Sequence, residues 1–177
     1  MVQWPREVQE VLIDESQIRQ KVVELGGTIS RDFQGTSPLF VCVLRGAAIF
    51  HADLIRHIDL SLLIDFISVS SYRDSTESTG EVQLIKDLET SVQGKDVVLV
   101  EDIVDTGLTL DYLVRYLSGR RPRSISVCSL LSKPSRRKIS VTVDYLGFEI
   151  PDSFVVGYGL DYDQNFRNLP FLALLKE

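Results

Sequence analysis

The chain has 177 residues, 44% of them apolar and 25% charged, which is enough to bury one sizeable core and calls for no second domain. Its 19 basic against 25 acidic residues give a net charge of −6, which disfavours a broad nucleic-acid or membrane-surface role and leaves room only for a local basic patch. The N-terminal Met-Val-Gln-Trp-Pro-Arg-Glu has no apolar signal core, and no run approaches the roughly 18 consecutive apolar residues of a membrane span, so a cytoplasmic setting is expected.

Residues 8–13 read as a short strand. Asp14-Glu15-Ser16 is a helix start before Ile18, Val22, Val23 and Leu25 at helical spacing, and Gly26-Gly27 is expected to weaken or end that helix. Residues 38–44 form a buried-strand pattern, followed by Arg45-Gly46-Ala47-Ala48 and a helix of about three turns carrying Ile49, Phe50, Leu54 and Ile55. A cation and a glycine at a strand-to-helix junction suit a polyanion: the glycine lets the backbone approach and the arginine supplies charge-assisted donors. Cys42 and Cys128 each lie inside an apolar strand-like run and read as buried thiols of a reducing compartment, with no metal-ligand pattern around them.

Residues 60–72 run apolar like a long strand, residues 73–80 are polar and aperiodic like a loop, and residues 81–85 resume the β pattern, so an antiparallel arm with a mobile tip is expected. Four apolar β-formers at Val97-Val98-Leu99-Val100 then suggest a strand buried on both faces, the habit of a parallel sheet. Glu101 and Asp102 fall where it ends. Asp105-Thr106-Gly107-Leu108-Thr109 has the make-up of a turn leading into a helix over residues 108–118, and such a turn aims backbone N–H groups and a helix N-terminus at one spot, where a phosphate fits. Acid beside an anion site needs a third party: a ligand with hydroxyls as well as phosphate, or Mg²⁺, meets that need.

Residues 124–131 form another buried-strand pattern, stopped by Pro134, with Lys133 at the strand end where open α/β sheets bind ligands. Arg136-Arg137-Lys138 reads as a solvated face. Residues 141–148 and 154–158 are further strand-like runs, and residues 171–175 close the chain with an apolar run.

At this point the residues resemble a known family. Val-Glu-Asp-Ile-Val-Asp-Thr-Gly-Leu-Thr over residues 100–109 is similar to the 5-phosphoribosyl-1-pyrophosphate (PRPP) motif of type I phosphoribosyltransferases, and four further segments in order resemble their hypoxanthine-guanine branch: Leu-Arg-Gly-Ala (44–47), Ser71-Tyr72, Leu-Leu-Ser-Lys-Pro-Ser-Arg-Arg (130–137) and Phe-Val-Val-Gly-Tyr-Gly-Leu-Asp-Tyr (154–162). The resemblance implies an α/β fold with a central, mainly parallel sheet flanked by helices, a small hood and a flexible lid loop. The core would span about residues 36–132, the hood the N-terminal residues and about 133–177, and the lid about 70–82.

The activity so implied is transfer of ribose 5-phosphate from PRPP to N9 of a 6-oxopurine, hypoxanthine and guanine, in purine salvage, with Mg²⁺ as cofactor. By resemblance, Glu101 and Asp102 engage the ribose hydroxyls, and Asp105, Thr106, Gly107, Leu108 and Thr109 hold the 5-phosphate. Asp105 is the acid/base group at purine N7. Arg45, Gly46 and Arg167 take the pyrophosphate, and the peptide between Leu44 and Arg45 is often cis in the family. Ser71 and Tyr72 close as part of the lid. Lys133 bonds the 6-oxo group, Phe154 stacks on the base, and Val155, Leu160 and Asp161 line its edge. Glu101, Asp102 and Asp161 are the metal candidates.

Two positions depart from some relatives: Leu108 stands where certain members carry lysine, and Arg45 where others do. The resemblance also implies a homodimer or homotetramer. The rival readings are a phosphoribosyltransferase-like regulator that binds RNA through Arg120-Arg121-Pro122-Arg123 and Arg136-Arg137-Lys138, and a transferase that prefers xanthine.

Overall fold

The computed structural model describes residues 7–71 and 82–176. Strand β1 (Val8–Ile13) leads into helix α1 (Glu15–Asp32), which begins on a capping box: the Asp14 carboxylate accepts from the Gln17 amide while the Gln17 side chain accepts from the Asp14 amide, each at 2.9 Å. The helix does not stop at Gly26-Gly27. Gly26 lies against the backbone of His57, where a Cβ would come within 2.6 Å of the carbonyl oxygen, so the glycine serves close packing rather than termination.

The remaining elements are β2 (Leu39–Leu44), α2 (Ala48–Ile55), β3 (Leu63–Ser71), β4 (Val82–Lys86), β5 (Asp96–Val104), α3 (Leu108–Ser118), β6 (Ser124–Ser132), a 3-10 turn (Pro134–Arg136), β7 (Tyr145–Glu149), β8 (Val155–Val156) and β9 (Leu172–Leu175). Helix α2 spans 8 residues, closer to two turns than three. Residues 141–144 precede β7 without joining the ladder: the Asp144 carboxylate caps the Val127 amide at 2.7 Å, and pairing starts at Cys128 opposite Tyr145. The polar tip at residues 73–80 lies outside the described residues.

Six strands form one sheet in the order β4-β3-β2-β5-β6-β7, parallel throughout except for β4, which returns antiparallel beside β3. Both faces are covered. On one, Ile18, Val22, Leu25 and Ile29 of α1 with Phe50 and Leu54 of α2 pack on Phe40, Val98, Val100 and Leu130; on the other, Leu110, Leu113 and Leu117 of α3 pack on Leu39, Val41, Val43, Val97 and Leu99. The alternation along β2 and β5 explains why those strands read as unbroken apolar runs. A separate antiparallel sheet, β1-β9-β8, joins the two ends of the chain and stands over the C-terminal ends of the parallel strands by way of residues 150–171. Cys42 and Cys128 are buried free thiols; burial, then the charges of Glu101 and Asp102, push Cys42 up to about 12, and burial raises Cys128 further.

Candidate active site

Three loops converge at the C-terminal ends of the parallel strands, where ligands bind in open α/β sheets. The first follows β5. Gly107 caps α3 with φ +88°, the left-handed backbone that a side chain resists, and the turn is braced from behind where Thr106 O accepts from Lys138 N at 2.9 Å and Ile139 N at 3.2 Å. Leu108 N reaches Thr106 Oγ1 at 3.4 Å, and Leu108 contributes backbone to this turn. Glu101, Asp102, Asp105, Thr106, Gly107 and Thr109 line a cavity of about 250 Å³ here.

The second loop follows β2. The Leu44–Arg45 peptide is cis. Gly46 leaves no space for a side chain: a Cβ would fall 1.6 Å from Asp102 Oδ2, and across from it a Cβ on Gly159 would fall 2.1 Å from Gly46 O. Arg45 Nη1 donates to Gln164 Oε1 at 2.8 Å, and Arg167 Nη2 reaches the same oxygen at 3.4 Å. Arg167 also pairs with Asp161 at 2.6 Å and donates to Gly159 O at 2.7 Å. Arg45, Gly46, Asp102, Asp161, Gln164 and Arg167 thereby wall a second cavity of about 380 Å³.

The third group surrounds a cavity of about 390 Å³ lined by Asp102, Asp105, Lys133, Phe154, Val155, Leu160 and Asp161. Lys133 is buried, its amide fixed to Val104 O at 2.9 Å, and its Nζ lies 3.9 Å from Asp152. Phe154 is 56% exposed and lies T-shaped against Tyr162, ring centroids 5.6 Å apart and planes at 85°. Val155 and Leu160 are buried beneath it.

Asp102 lines all three cavities, Asp105 the first and third, and Asp161 the second and third. Ser71 ends β3, and Tyr72 lies outside the described residues. A larger cavity of about 590 Å³ between α1, α2 and the segment 168–170 shares no residue with these three.

Electrostatics at the strand tip are dominated by two carboxyl groups side by side. Glu101 is buried and its Oε2 has no partner among the described residues; burial first, and the Asp102 charge second, hold its pKa well above the ordinary carboxylate range. Burial raises Asp102 as well, opposed by the Glu101 carboxyl, the Ile103 amide and the Arg167 charge. Among the described residues no group of three or more acidic, histidine or cysteine side chains closes on a metal position, so Glu101, Asp102 and Asp161 make no protein cage. The donor set still suits Mg²⁺, which takes oxygen ligands, keeps waters and is commonly held by one or two carboxylates plus substrate phosphates.

The site holds residues that the sequence did not single out. Arg136 is exposed, as a solvated face requires, and it also reaches the site: its Nε donates to Asp105 Oδ1 at 2.9 Å and its Nη1 reaches Asp152 at 3.4 Å. Arg137 turns inward and donates to Ser132 Oγ at 2.8 Å. Gln164 was likewise unremarked. In the basic run at residues 120–123, Arg120 is tied to Asp87 and Tyr116 and Arg123 to Asp96, so two of its cations sit beside carboxylates.

A parallel sheet whose strand ends hold an acidic pair, an amide-lined turn and a hooded aromatic pocket defines a class. The chain belongs to the phosphoribosyl transferase domain family, which matches residues 9–163. The hypoxanthine-guanine phosphoribosyltransferase of Bacillus subtilis is 53% identical over 170 residues, covering 96% of this chain and 94% of the relative, and the enzyme of that name from Staphylococcus aureus strain Mu50 is 48% identical over 96% and 95%. Among solved structures, a hypoxanthine-guanine phosphoribosyltransferase from Bacillus anthracis superposes with TM-score 0.92 at 48% identity over 96% of this chain and all of the other. A Trypanosoma cruzi hypoxanthine phosphoribosyl transferase does so with TM-score 0.92 at 34% identity over 99% and 95%.

Proposed function

We infer that this chain is a hypoxanthine-guanine phosphoribosyltransferase of purine salvage, transferring ribose 5-phosphate from PRPP to N9 of a 6-oxopurine and releasing pyrophosphate. One observation carries the reading: three cavities, each with a different chemistry, meet at Asp102. A phosphate in the turn 105–109, a pyrophosphate between Arg45, Gly46 and Arg167, and a flat base against Phe154 then lie on one ribose.

In the reaction the bond from C1 of the ribose to pyrophosphate breaks and a bond from C1 to N9 forms, through a sugar carrying positive charge. Asp102 and Glu101 serve the ribose hydroxyls and lie beside that charge. Arg45, the Gly46 amide and Arg167 receive the negative charge growing on the leaving group; Gln164, a neutral acceptor, holds the two guanidinium groups together without competing as an anion does. Asp105 takes or shares the N7 proton as N9 attacks, leaving a neutral purine in the product. Lys133, buried with Asp152 3.9 Å from its Nζ, offers an ammonium to the 6-oxo group, an acceptor that the 6-amino group of adenine does not supply. Glu101, Asp102 and Asp161 are the carboxylates that would hold Mg²⁺ together with the substrate's phosphates, and the ion would supply neutralisation of the pyrophosphate charge.

The same reading assigns residues 36–132 to the core, the N-terminal residues with 133–177 to the hood, and 70–82 to a lid with Ser71 and Tyr72. The buried thiols support a cytoplasmic setting. A homodimer or homotetramer is the assembly we favour, in line with a Trypanosoma cruzi relative whose C-terminal region is described by its role in oligomeric state and enzymatic activity; light scattering after size exclusion tests it. The decisive assay supplies PRPP and Mg²⁺ with hypoxanthine, guanine, xanthine and adenine in parallel. Turnover of hypoxanthine and guanine is expected. Turnover of adenine alone, or of none, refutes the reading.

A further inference from the structure

Lys133 and Arg136 are the two ends of one short turn. The Arg136 amide donates to the Lys133 carbonyl at 3.2 Å, and the Lys133 amide fastens the turn to Val104, the residue before Asp105. Two cationic side chains therefore leave this backbone at a set spacing: Lys133 lines the base cavity, and Arg136 reaches Asp105, which lines it too. Arg136 Nε donates to Asp105 Oδ1 at 2.9 Å, its Nη1 faces the Asp152 oxygens at 3.5 and 3.4 Å, and Asp152 Oδ1 lies 3.9 Å from Lys133 Nζ. Cation and carboxylate alternate along a chain of four: Lys133, Asp152, Arg136, Asp105. Asp105 Oδ2 accepts from no group among the described residues, and Asp105 lines the cavity that Phe154 and Lys133 wall.

We propose that Arg136, steadied by Asp152, is a positioning residue that fixes Asp105 by one oxygen and so presents the other to purine N7, tying N7 recognition to the 6-oxo recognition of Lys133. This rests on the reading of the site as a 6-oxopurine site. A partly exposed carboxylate at a turn samples several rotamers unless it is held. A guanidinium holds it by direction as well as charge, because Nε and Nη1 lie in one plane and can grip two carboxylates at a fixed angle, which an ammonium cannot do. Arg136, Asp105 and Asp152 are 46%, 39% and 50% exposed, and pairs so open to water add little to folding stability. Their consequence is therefore sought in the geometry of the reacting base.

The test uses the full chain as wild type and as Arg136→Gln, Arg136→Lys and Asp152→Asn. Steady-state constants are measured for hypoxanthine and PRPP, together with the inhibition constant of 7-deazahypoxanthine, in which a C–H replaces N7. Misplacing a reacting group by an ångström costs on the order of a hundredfold, so Arg136→Gln is expected to lower kcat by about tenfold to a hundredfold with the PRPP KM nearly unchanged. It should weaken hypoxanthine more than 7-deazahypoxanthine, since the analogue has nothing for Asp105 to meet. Arg136→Lys should restore part of the loss, and Asp152→Asn should fall between Arg136→Gln and wild type. Unchanged kcat in Arg136→Gln, or equal weakening of both bases, overturns the proposal while leaving the assigned reaction intact. A wild-type chain that turns over no purine overturns that reaction and this proposal with it.

Discussion

Replacing Glu101 by Gln removes a charge from the strand tip and almost nothing else. Glu101 is 8% exposed and its Oε2 meets no donor among the described residues, so the ionised form is poorly tolerated, and burial together with Asp102 raises its pKa in the folded chain. In acid the carboxyl is protonated in folded and unfolded chains alike, and folding pays nothing for it. As pH rises the unfolded chain releases the proton first and the folded chain holds it longer, so stability falls across the interval between the two values. Gln keeps the size and stays neutral throughout. An unsatisfied buried polar group costs about 1–3 kcal/mol, more when charged, and in a chain of this size each kcal/mol moves Tm by about 2–4 °C. Glu101→Gln should therefore melt about 2–12 °C above wild type near pH 8, in chelator and without PRPP, with the gap closing toward about pH 5. Scanning calorimetry at the two pH values reads it, and the same variant should show a raised KM for PRPP. A gap of constant size at both pH values, or a wild type that is the more stable near pH 8, refutes the argument.

Asp105→Asn keeps the shape of the group but cannot take a proton, so kcat should fall by about 10²–10⁴ with PRPP binding largely retained; calorimetric titration of PRPP beside steady-state kinetics separates the two, and near-normal kcat removes Asp105 from its role. Lys133→Ala deletes a hydrogen bond from a charged donor worth about 1.5–3 kcal/mol, so the KM for hypoxanthine should rise about tenfold to more than a hundredfold while that for PRPP holds, and equal loss for both counts against the assignment. Gly46→Ala drives a methyl group into Asp102, 1.6 Å from Oδ2, and should lower kcat/KM for PRPP on the order of a hundredfold; wild-type kinetics in that variant mean the close approach has no functional weight.

The strand–turn–helix at β5 and α3 was open to reading because its signals are local: consecutive apolar residues, two acids, then a turn with glycine at the one position where φ is positive. Helix α3 runs from Leu108 to Ser118 as its spacing suggests. Helix α1 was harder, since Gly26 answers to His57, which is 31 positions away and belongs to another element. The pairing of the exposed Arg136 was hidden for the same reason. Its partners Asp105 and Asp152 are 31 and 16 positions distant, and in a run of basic residues nothing nearby distinguishes a paired arginine from a solvated one. The residues before β7 carry β-branched side chains that suit a strand, yet the Asp144 carboxylate takes the amide that would have extended the ladder. Local chemistry thus marked the turn at residues 105–109, while the links between loops emerged only from the packed chain.

Gly46 and Gly159 have a bearing on how this enzyme can change. Their backbones touch, and Gly46 in turn rests on Asp102, so the loop after β2, the acidic tip of β5 and the hood share a single point with no slack. A hood redesigned for another base cannot be lowered or twisted independently, because any displacement there is handed to Gly46 and Asp102. New specificity is therefore more accessible at the rim, around Phe154 and Tyr162, than at the junction beneath it.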